Sequence, residues 1–297
     1  MSYFLEQVLN GLSFGLVLSL IAAGFAIVFT STGVLNFAHG SVVLLGAYLV
    51  AVLHPTIGFW PSLLVAMAGA ALVGVLINTL LVRHLADQNA GTAAILMLGV
   101  DIVLLTELTR RIGNQVLTLG APWGASVVRV GDVSLPTGRV VAAGVTVVAF
   151  AALWYLFSRT DLGVGMRAAA ADGPTASLMG IRLSRTAATG WALAGVLAAV
   201  AGVFLTSFPA PGVAPTVALS AFAAIPAWVL GGFDSVPGAV VGGLVIGLTS
   251  ALVTGYEGDL ERFVGTGFGE IAPYVVMIIV LLVRPSGLLG SKEAVRV

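Results

Sequence analysis

Few residues of this chain have the types and spacing to do chemistry, and most of those are in the wrong context for it. Gly11-Leu12-Ser13-Phe14-Gly15 has the spacing of a nucleophile elbow. That device needs a sharp strand-to-helix turn and histidine and acidic partners, whereas here it lies inside an apolar helical run, so the match is chance. Gly163-Val164-Gly165-Met166-Arg167-Ala168 fits a loose dinucleotide fingerprint, but no strand precedes it and no βαβ unit follows. His39, His54 and His84 are scattered, without carboxylates at ligand spacing, so no metal site is expected. Cysteine is absent and the one lysine is Lys292, which excludes thiolate chemistry and a Walker A loop within the apolar runs. No catalytic residue is therefore expected, and any ATP is bound by another chain. Asp101 is different. A carboxylate in the middle of an apolar run costs about 2.5–3.5 kcal/mol in a membrane, so it must face a bundle interior or a cavity. Either it lines a path through the membrane or it is a hydrogen-bonded structural group between helices. Glu107, with Arg110 and Arg111 three and four residues on, reads as a surface ion pair.

The elements that carry these residues are membrane segments. The chain has 297 residues, 59% of them hydrophobic and 9% charged, with a mean hydropathy of +1.09. Soluble domains carry roughly a quarter charged residues, so this chain cannot cover itself for water. Gln7 to Val82 contains no Asp, Glu, Lys or Arg, a run long enough for three crossings at about 20 residues each. Because the runs are continuous and do not alternate, a barrel is excluded. The fold class is an all-α polytopic integral membrane protein with about 8–9 membrane segments, some short or broken. The expected segments are 5–29, 36–53, 60–82, 91–109, 140–157, 187–208, 217–233 (interrupted by Pro226), 239–254 and 269–283. His54 to Gly58 reads as a turn, and the Gly/Pro-punctuated loop 112–138 has alternating pieces at 127–133 that suggest a small hairpin. Net charge is zero, which gives no reason to expect nucleic acid as a partner.

One long polar interruption breaks the pattern. Arg159 to Arg185 carries Arg159, Asp161, Arg167, Asp172, Arg182 and Arg185 between two uncharged runs. It reads as a polar loop with one short helix: Asp172 caps it, Pro174 suits its first turn, Ala176, Leu178 and Met179 favour helix, and Gly180 ends it. It serves either as a solvated connector obeying the positive-inside rule or as a docking knob for a soluble partner. Alternating crossings, with this connector inside, put the N-terminus outside and the C-terminus in the cytoplasm. Eight basic residues then lie inside and five outside. Val34–Gly46 and Val229–Gly242 echo one another, each placing a Phe, a polar residue and glycines before a short apolar segment. Such segments in two related halves point to a transport pathway. Asn36 and His39 open one of them and read as structural polar groups or as ligands of a transported solute.

Four stretches carry a resemblance. Gly33-Val34-Leu35-Asn36-Phe37-Ala38-His39-Gly40 with Gly46-Ala47-Tyr48 resembles the early signature of permease subunits of branched-chain amino-acid ABC importers, the LivH type. So do the connector, from Asp161-Leu162-Gly163 through Arg167-Ala168, Ala176 and Met179-Gly180-Ile181, the stretch Val229 to Gly238, and Arg284-Pro285-Ser286-Gly287-Leu288-Leu289-Gly290. The matches run in order from residue 11 to 290, one permease domain over 1–297.

The resemblance implies an inner-membrane, multi-pass transport subunit without its own active site or cofactor. Its partners would be a second permease (LivM-like), two ATPase subunits that bind ATP and Mg, an extracytoplasmic substrate-binding protein, and membrane lipid. Residues 170–181 would be the coupling helix seated in the ATPase, with Arg167, Asp172, Ala176, Met179, Gly180 and Ile181 at the contact and Ala176 small enough for close approach. Asn36, Phe37, His39, Gly40, Asp101, Gly231, Gly232 and Phe233 would line the translocation path. Many importer loops have Glu-Ala-Ala before the glycine, whereas this chain has Ala170-Ala171-Asp172; Asp101 is not a family-wide expectation either. Related permeases carry urea, short amides or other small solutes. A stand-alone transporter or channel is the contrasting class, but ion coupling favours several buried carboxylates, and the paired Asn-Pro-Ala boxes of a water channel are absent.

Overall fold

A computed structural model describes residues 2–85, 90–124, 126–130, 133–207, 212–258, 261, 265 and 267–291. Twelve described α-helices follow in order: α1 Ser2–Thr32, α2 His39–Ile57, α3 Phe59–Leu80, α4 Ala90–Ile112, α5 Thr137–Arg159, α6 Asp161–Ala171, α7 Gly173–Leu178, α8 Leu183–Leu205, α9 Thr216–Ala221, α10 Ala224–Gly231, α11 Val236–Gly255 and α12 Phe268–Val283. Seven are long and apolar enough to cross a membrane, and 216–231 and 268–283 are shorter apolar pieces. These match the nine expected segments. The expected hairpin also forms, with β1 Val127–Val130 antiparallel to β2 Val133–Pro136. Gln88, Pro209, Pro211, Asp259, Arg262, Lys292 and Arg296 lie outside the described residues.

One expectation needs correction. Helix α2 continues through His54 to Ile57, and the chain turns at Gly58, which has φ +81°. Pro55 is tolerated because it stands in the last turn, where its missing N–H forfeits a single bond. The expected interruption of 217–233 is present, as two helices broken at Phe222-Ala223. Pro226 lies four residues past Phe222; it donates nothing to that carbonyl and its ring crowds it.

The ends of the spans collect at two faces. At one face the Thr30 hydroxyl meets the Asp234 carbonyl at 3.3 Å, and Leu288 N–H donates to Leu230 O at 2.8 Å. The α6–α7 connector joins the ends of α5 and α8 there. At the opposite face the Tyr3 hydroxyl donates to Gly255 O at 2.6 Å, and Leu117 bridges Val213. Helices α1 and α8 are the most buried spans, and α4 and α5 the least.

Packing relates two halves. Helix α1 packs on α11 as α8 packs on α3; α2 lies against α3 and α4 as α10 lies against α11 and α12; α1 and α8 also pack on each other. Corresponding members run in opposite directions across the bundle. This pairing replaces the echo of 34–46 with 229–242, two segments that lie at the same face. Glycines let the backbones approach: a Cβ on Gly202 would lie 2.2 Å from Val43 O, and one on Gly195 2.3 Å from Ala70 O.

Candidate functional site

The connector is built as a rigid projection. Sequence patterning gave a polar loop with one short helix, but nearly all of it is helical, because α6 precedes α7. Thr160 caps α6 by accepting from Gly163 N–H at 3.2 Å. Gly163 permits the reversal out of α5, since a Cβ there would lie 2.2 Å from Leu156 O. Asp172 then caps α7, accepting from Thr175 N–H at 3.1 Å and from the Thr175 hydroxyl at 2.6 Å. Those two donors hold the Asp172 carboxyl below the usual carboxylate range. At the other end Ile181 N–H donates to Ala176 O at 3.0 Å across Gly180, whose φ of +86° a residue with a Cβ adopts only with strain.

This geometry sorts the candidate docking residues. Leu178 is 88% exposed and Met179 80% exposed, at the tip of the projection. Arg167, Asp172 and Gly180 are also exposed. Ala176 is 4% exposed, turned into the chain, and Ile181 is half-buried near Gly165. The expectation that Ala176 admits a close approach from outside is corrected: its small side chain lets α7 lie down on its own chain. Leu178, passed over as merely helix-forming, is the most exposed large apolar residue of the connector.

The second group of candidates meets where α1, α2 and α10 come together. His39 is buried, its ring 4.7 Å from that of Phe25 and its Nε2 against Gly24. Phe25 stacks on Trp228 at 5.2 Å, and Trp228 meets Phe233 edge-on at 4.9 Å. The indole N–H of Trp228 donates to Phe233 O at 2.9 Å, and Phe29 packs against both rings. His39 and Phe233, far apart in sequence, thus end one aromatic row. The sequence reading missed Phe25, Phe29 and Trp228; Phe25 and Phe29, one helical turn apart, were the available signal. Gly40 admits the Ala218 carbonyl of α9, Gly231 packs on Gly238, and Gly232 on Gly290. Asn36 is buried and Phe37 half-buried. Neither the Asn36 Oδ1 nor the His39 Nε2 has a hydrogen-bond partner among the described residues. Asp101 accepts from the Ser41 hydroxyl at 2.6 Å, tying α4 to α2.

Against this geometry, the family model described as "Branched-chain amino acid transport system / permease component" matches residues 7–283. The chain belongs to this permease family. A high-affinity branched-chain amino acid transport system permease protein LivH of Salmonella typhimurium is 32% identical over 99% of this chain and 98% of its own length. A probable branched-chain amino acid transport permease protein LivH of Methanocaldococcus jannaschii is 31% identical, covering 92% and 89%. Among solved structures, PsaBC from Streptococcus pneumoniae in complex with Fab aligns with 93% of this chain and 91% of that one, at 14% identity and a TM-score of 0.48.

Two hollows mark the permease surface. One of about 600 Å³ between α3 and α4 is lined by aliphatic residues such as Ile77, Ile95 and Val103. The other, of about 360 Å³, opens between the start of α1, the start of α5 and the end of α11, where Gln7, Asn10 and Arg139 share the lining with Phe14 and Ala251.

Proposed function

We propose that this permease is one membrane-spanning half of an ATP-binding-cassette importer for branched-chain or related small amino acids. The α6–α7 face is cytoplasmic and the N-terminus outside, in an inner-type membrane. It pairs with a second permease, two ATPase subunits that hold ATP and Mg, and an extracytoplasmic binding protein. The distribution of arginine supports this orientation. Arg83, Arg159, Arg167, Arg182, Arg185 and Arg284 lie on the connector's face. Of the cations opposite, Arg110 and Arg111 are both paired with Glu107.

The observation that carries the proposal is the pair Leu178–Met179, held out in water on a helix fixed at both ends. Exposed apolar side chains on a rigid projection mark a surface that another protein covers. Nucleotide-driven movement of the ATPases pushes α7. The push biases the bundle between two packings, and the free energy comes from the partner. The path opens where α10 meets α1 and α2, so Gly231, Gly232 and Phe233 move relative to Asn36, Phe37, His39, Gly40 and Asp101, which stay with the α1–α2 side.

The test is leucine uptake by the reconstituted four-component importer with Met179→Glu. Uptake should fall at least tenfold while solute binding to the extracytoplasmic protein is unchanged. Full uptake coupled to hydrolysis in that variant refutes the docking assignment.

A further inference from the structure

We infer that the groove between α3 and α4 binds an anionic phospholipid of the leaflet on the connector's side, with one acyl chain along the groove and the phosphate on Arg83 and His84. The inference needs only the membrane setting of the seven long apolar helices and stands apart from the importer reading.

The groove exists because α3 and α4 do not close on each other. Helix α3 packs on α8 and α2, whereas α4 leans on α2, where Asp101 accepts from Ser41 at 2.6 Å. The space left between them, about 600 Å³, has Ile77 and Leu81 of α3 on one side. On the other side α4 presents two parallel rows at four-residue spacing. Leu96, Val100 and Leu104 are half-buried and form the floor, packed against the buried cluster of Ile77, Met97 and Trp191. Ile95, Gly99 and Val103 form an exposed rim, Ile95 at 72% and Val103 at 69%. Gly99 is the notch in that rim: a Cβ there would meet nothing within 4 Å.

Length and shape favour an acyl chain over a helix of another protein. From Ile95 to Leu104 the groove runs roughly 14 Å along α4 at 1.5 Å per residue. That is about half of the roughly 30 Å hydrocarbon thickness, the whole of which a spanning partner helix crosses. Close helix packing also uses small residues repeated at four-residue spacing, whereas Gly99 stands between Ile95 and Val103. A single notch in an otherwise aliphatic lining suits a thin, flexible chain.

Charge completes the match. A phosphate sits outside the hydrocarbon, so its cation belongs past the end of the groove and not on its wall. Leu81 stands at the connector-side end of α3, and the chain continues from it into a 3-10 turn, Val82–Leu85. Val82 anchors that turn, buried in one cluster with Val28 and Val34 at the end of α1. Arg83 and His84 are exposed, and at about 2 Å rise per residue they lie roughly 4–6 Å beyond Leu81. Arg83 makes no ion pair among the described residues, so its charge is left for an anion, with the His84 ring as a second donor. Basic side chains between spans at this level hold anionic headgroups.

The test is native mass spectrometry of the full-length permease in detergent. It is titrated with phosphatidylglycerol, with phosphatidylcholine of the same chains (no net charge) and with glycerol phosphate (no chain). Phosphatidylglycerol should give one saturable adduct, phosphatidylcholine should bind about fivefold more weakly, and glycerol phosphate should not bind. Arg83→Gln should lower phosphatidylglycerol affinity about fivefold, the worth of one basic side chain at an anionic headgroup, and so erase the preference. Arg284→Gln, at an exposed arginine of the same face beyond α12, should leave it unchanged. Gly99→Leu fills the notch without a clash and with a better helix former, and should weaken both lipids at least tenfold. Absence of a saturable adduct, full phosphatidylglycerol affinity in Gly99→Leu, or equal losses in Arg83→Gln and Arg284→Gln overturns the site. A Gly99→Leu chain that keeps both lipids but no longer assembles with a second permease gives the groove to that protein and overturns it equally.

Discussion

The glycine seam between α1 and α11 makes a quantitative forecast. A Cβ on Gly247 would lie 2.3 Å from Gly15 Cα and 2.6 Å from Gly11 O; one on Gly15 would lie 2.7 Å from Gly243 O. Carbon atoms in good contact sit about 3.5–4.0 Å apart, so either methyl requires α1 and α11 to separate by roughly 1 Å. The obstructing atoms are backbone and cannot swing away. Gly15→Ala and Gly247→Ala should each destabilise by about 1–3 kcal/mol, the usual cost of overpacking. Both methyls demand the same separation, so the second is nearly accommodated once the first has been. The double variant should therefore cost less than the sum, by an interaction of about 0.5–2 kcal/mol. The assay is reversible SDS-induced unfolding in mixed micelles for the four members of the cycle. Costs that add to within about 0.3–0.5 kcal/mol, or single costs inside that margin, would show that the helices are not in this contact.

Three further outcomes are expected. The Asp172 carboxyl is held below its ordinary range by Thr175, so its capping of α7 is fully present at neutral pH and is lost as the pH falls through that lowered value; the protection of the Thr175 amide relative to its intrinsic exchange should drop on acidification, and not in Asp172→Asn. Ser41→Ala removes the donor to Asp101 and should destabilise by about 1 kcal/mol, with most of that cost absent in the Asp101→Ala background. The chain has no cysteine, and a Cβ on Gly11 would lie 3.0 Å from that of Ala251, so a Gly11→Cys/Ala251→Cys pair should oxidise readily across the seam. Uptake in the reconstituted importer should then fall on oxidation and return with reductant; unchanged uptake at full cross-linking would show that the seam does not open during transport.

The fold was legible wherever a single segment decides its own state. Hydropathy alone places the spans, because a backbone in hydrocarbon must bond within itself and helix is the local way to do so. Asp172, Pro174 and Gly180 fixed α7 for the same reason: caps and a left-handed glycine act within a few residues. What could not be read depends on neighbours distant in sequence. Ala176 is small whether it faces a partner or its own chain, and only the fold of α6 against α8 turns it inward. His39 and Phe233 were picked out as polar and bend residues. Phe25 and Trp228, which join them, lie in apolar stretches where an aromatic side chain is unremarkable until another ring stands beside it.

Those long-range contacts also limit how the bundle can move. Helix α8 is bound through glycine notches to three neighbours: Gly190 against Ser31 of α1, Gly195 against Ala70 of α3, and Gly202 against Val43 of α2. It begins directly after the Gly180 turn, so a push on Leu178 and Met179 reaches α8 through a few bonded residues. Interiors packed at this density do not deform smoothly; blocks shift against one another where the packing has two solutions. With α1, α2, α3 and α8 locked together, the remaining freedom lies between that block and α10–α12, along the α1–α11 glycine seam and the ring contacts of Trp228 with Phe25 and Phe29. The second hollow stands at one end of that seam and the connector at the other face, so a rocking motion about the seam would change both. Hence the same glycines that set stability should set transport rate, and Gly15→Ala, by loosening α1 on α11, should alter uptake more than Gly195→Ala, whose clash lies inside the moving block.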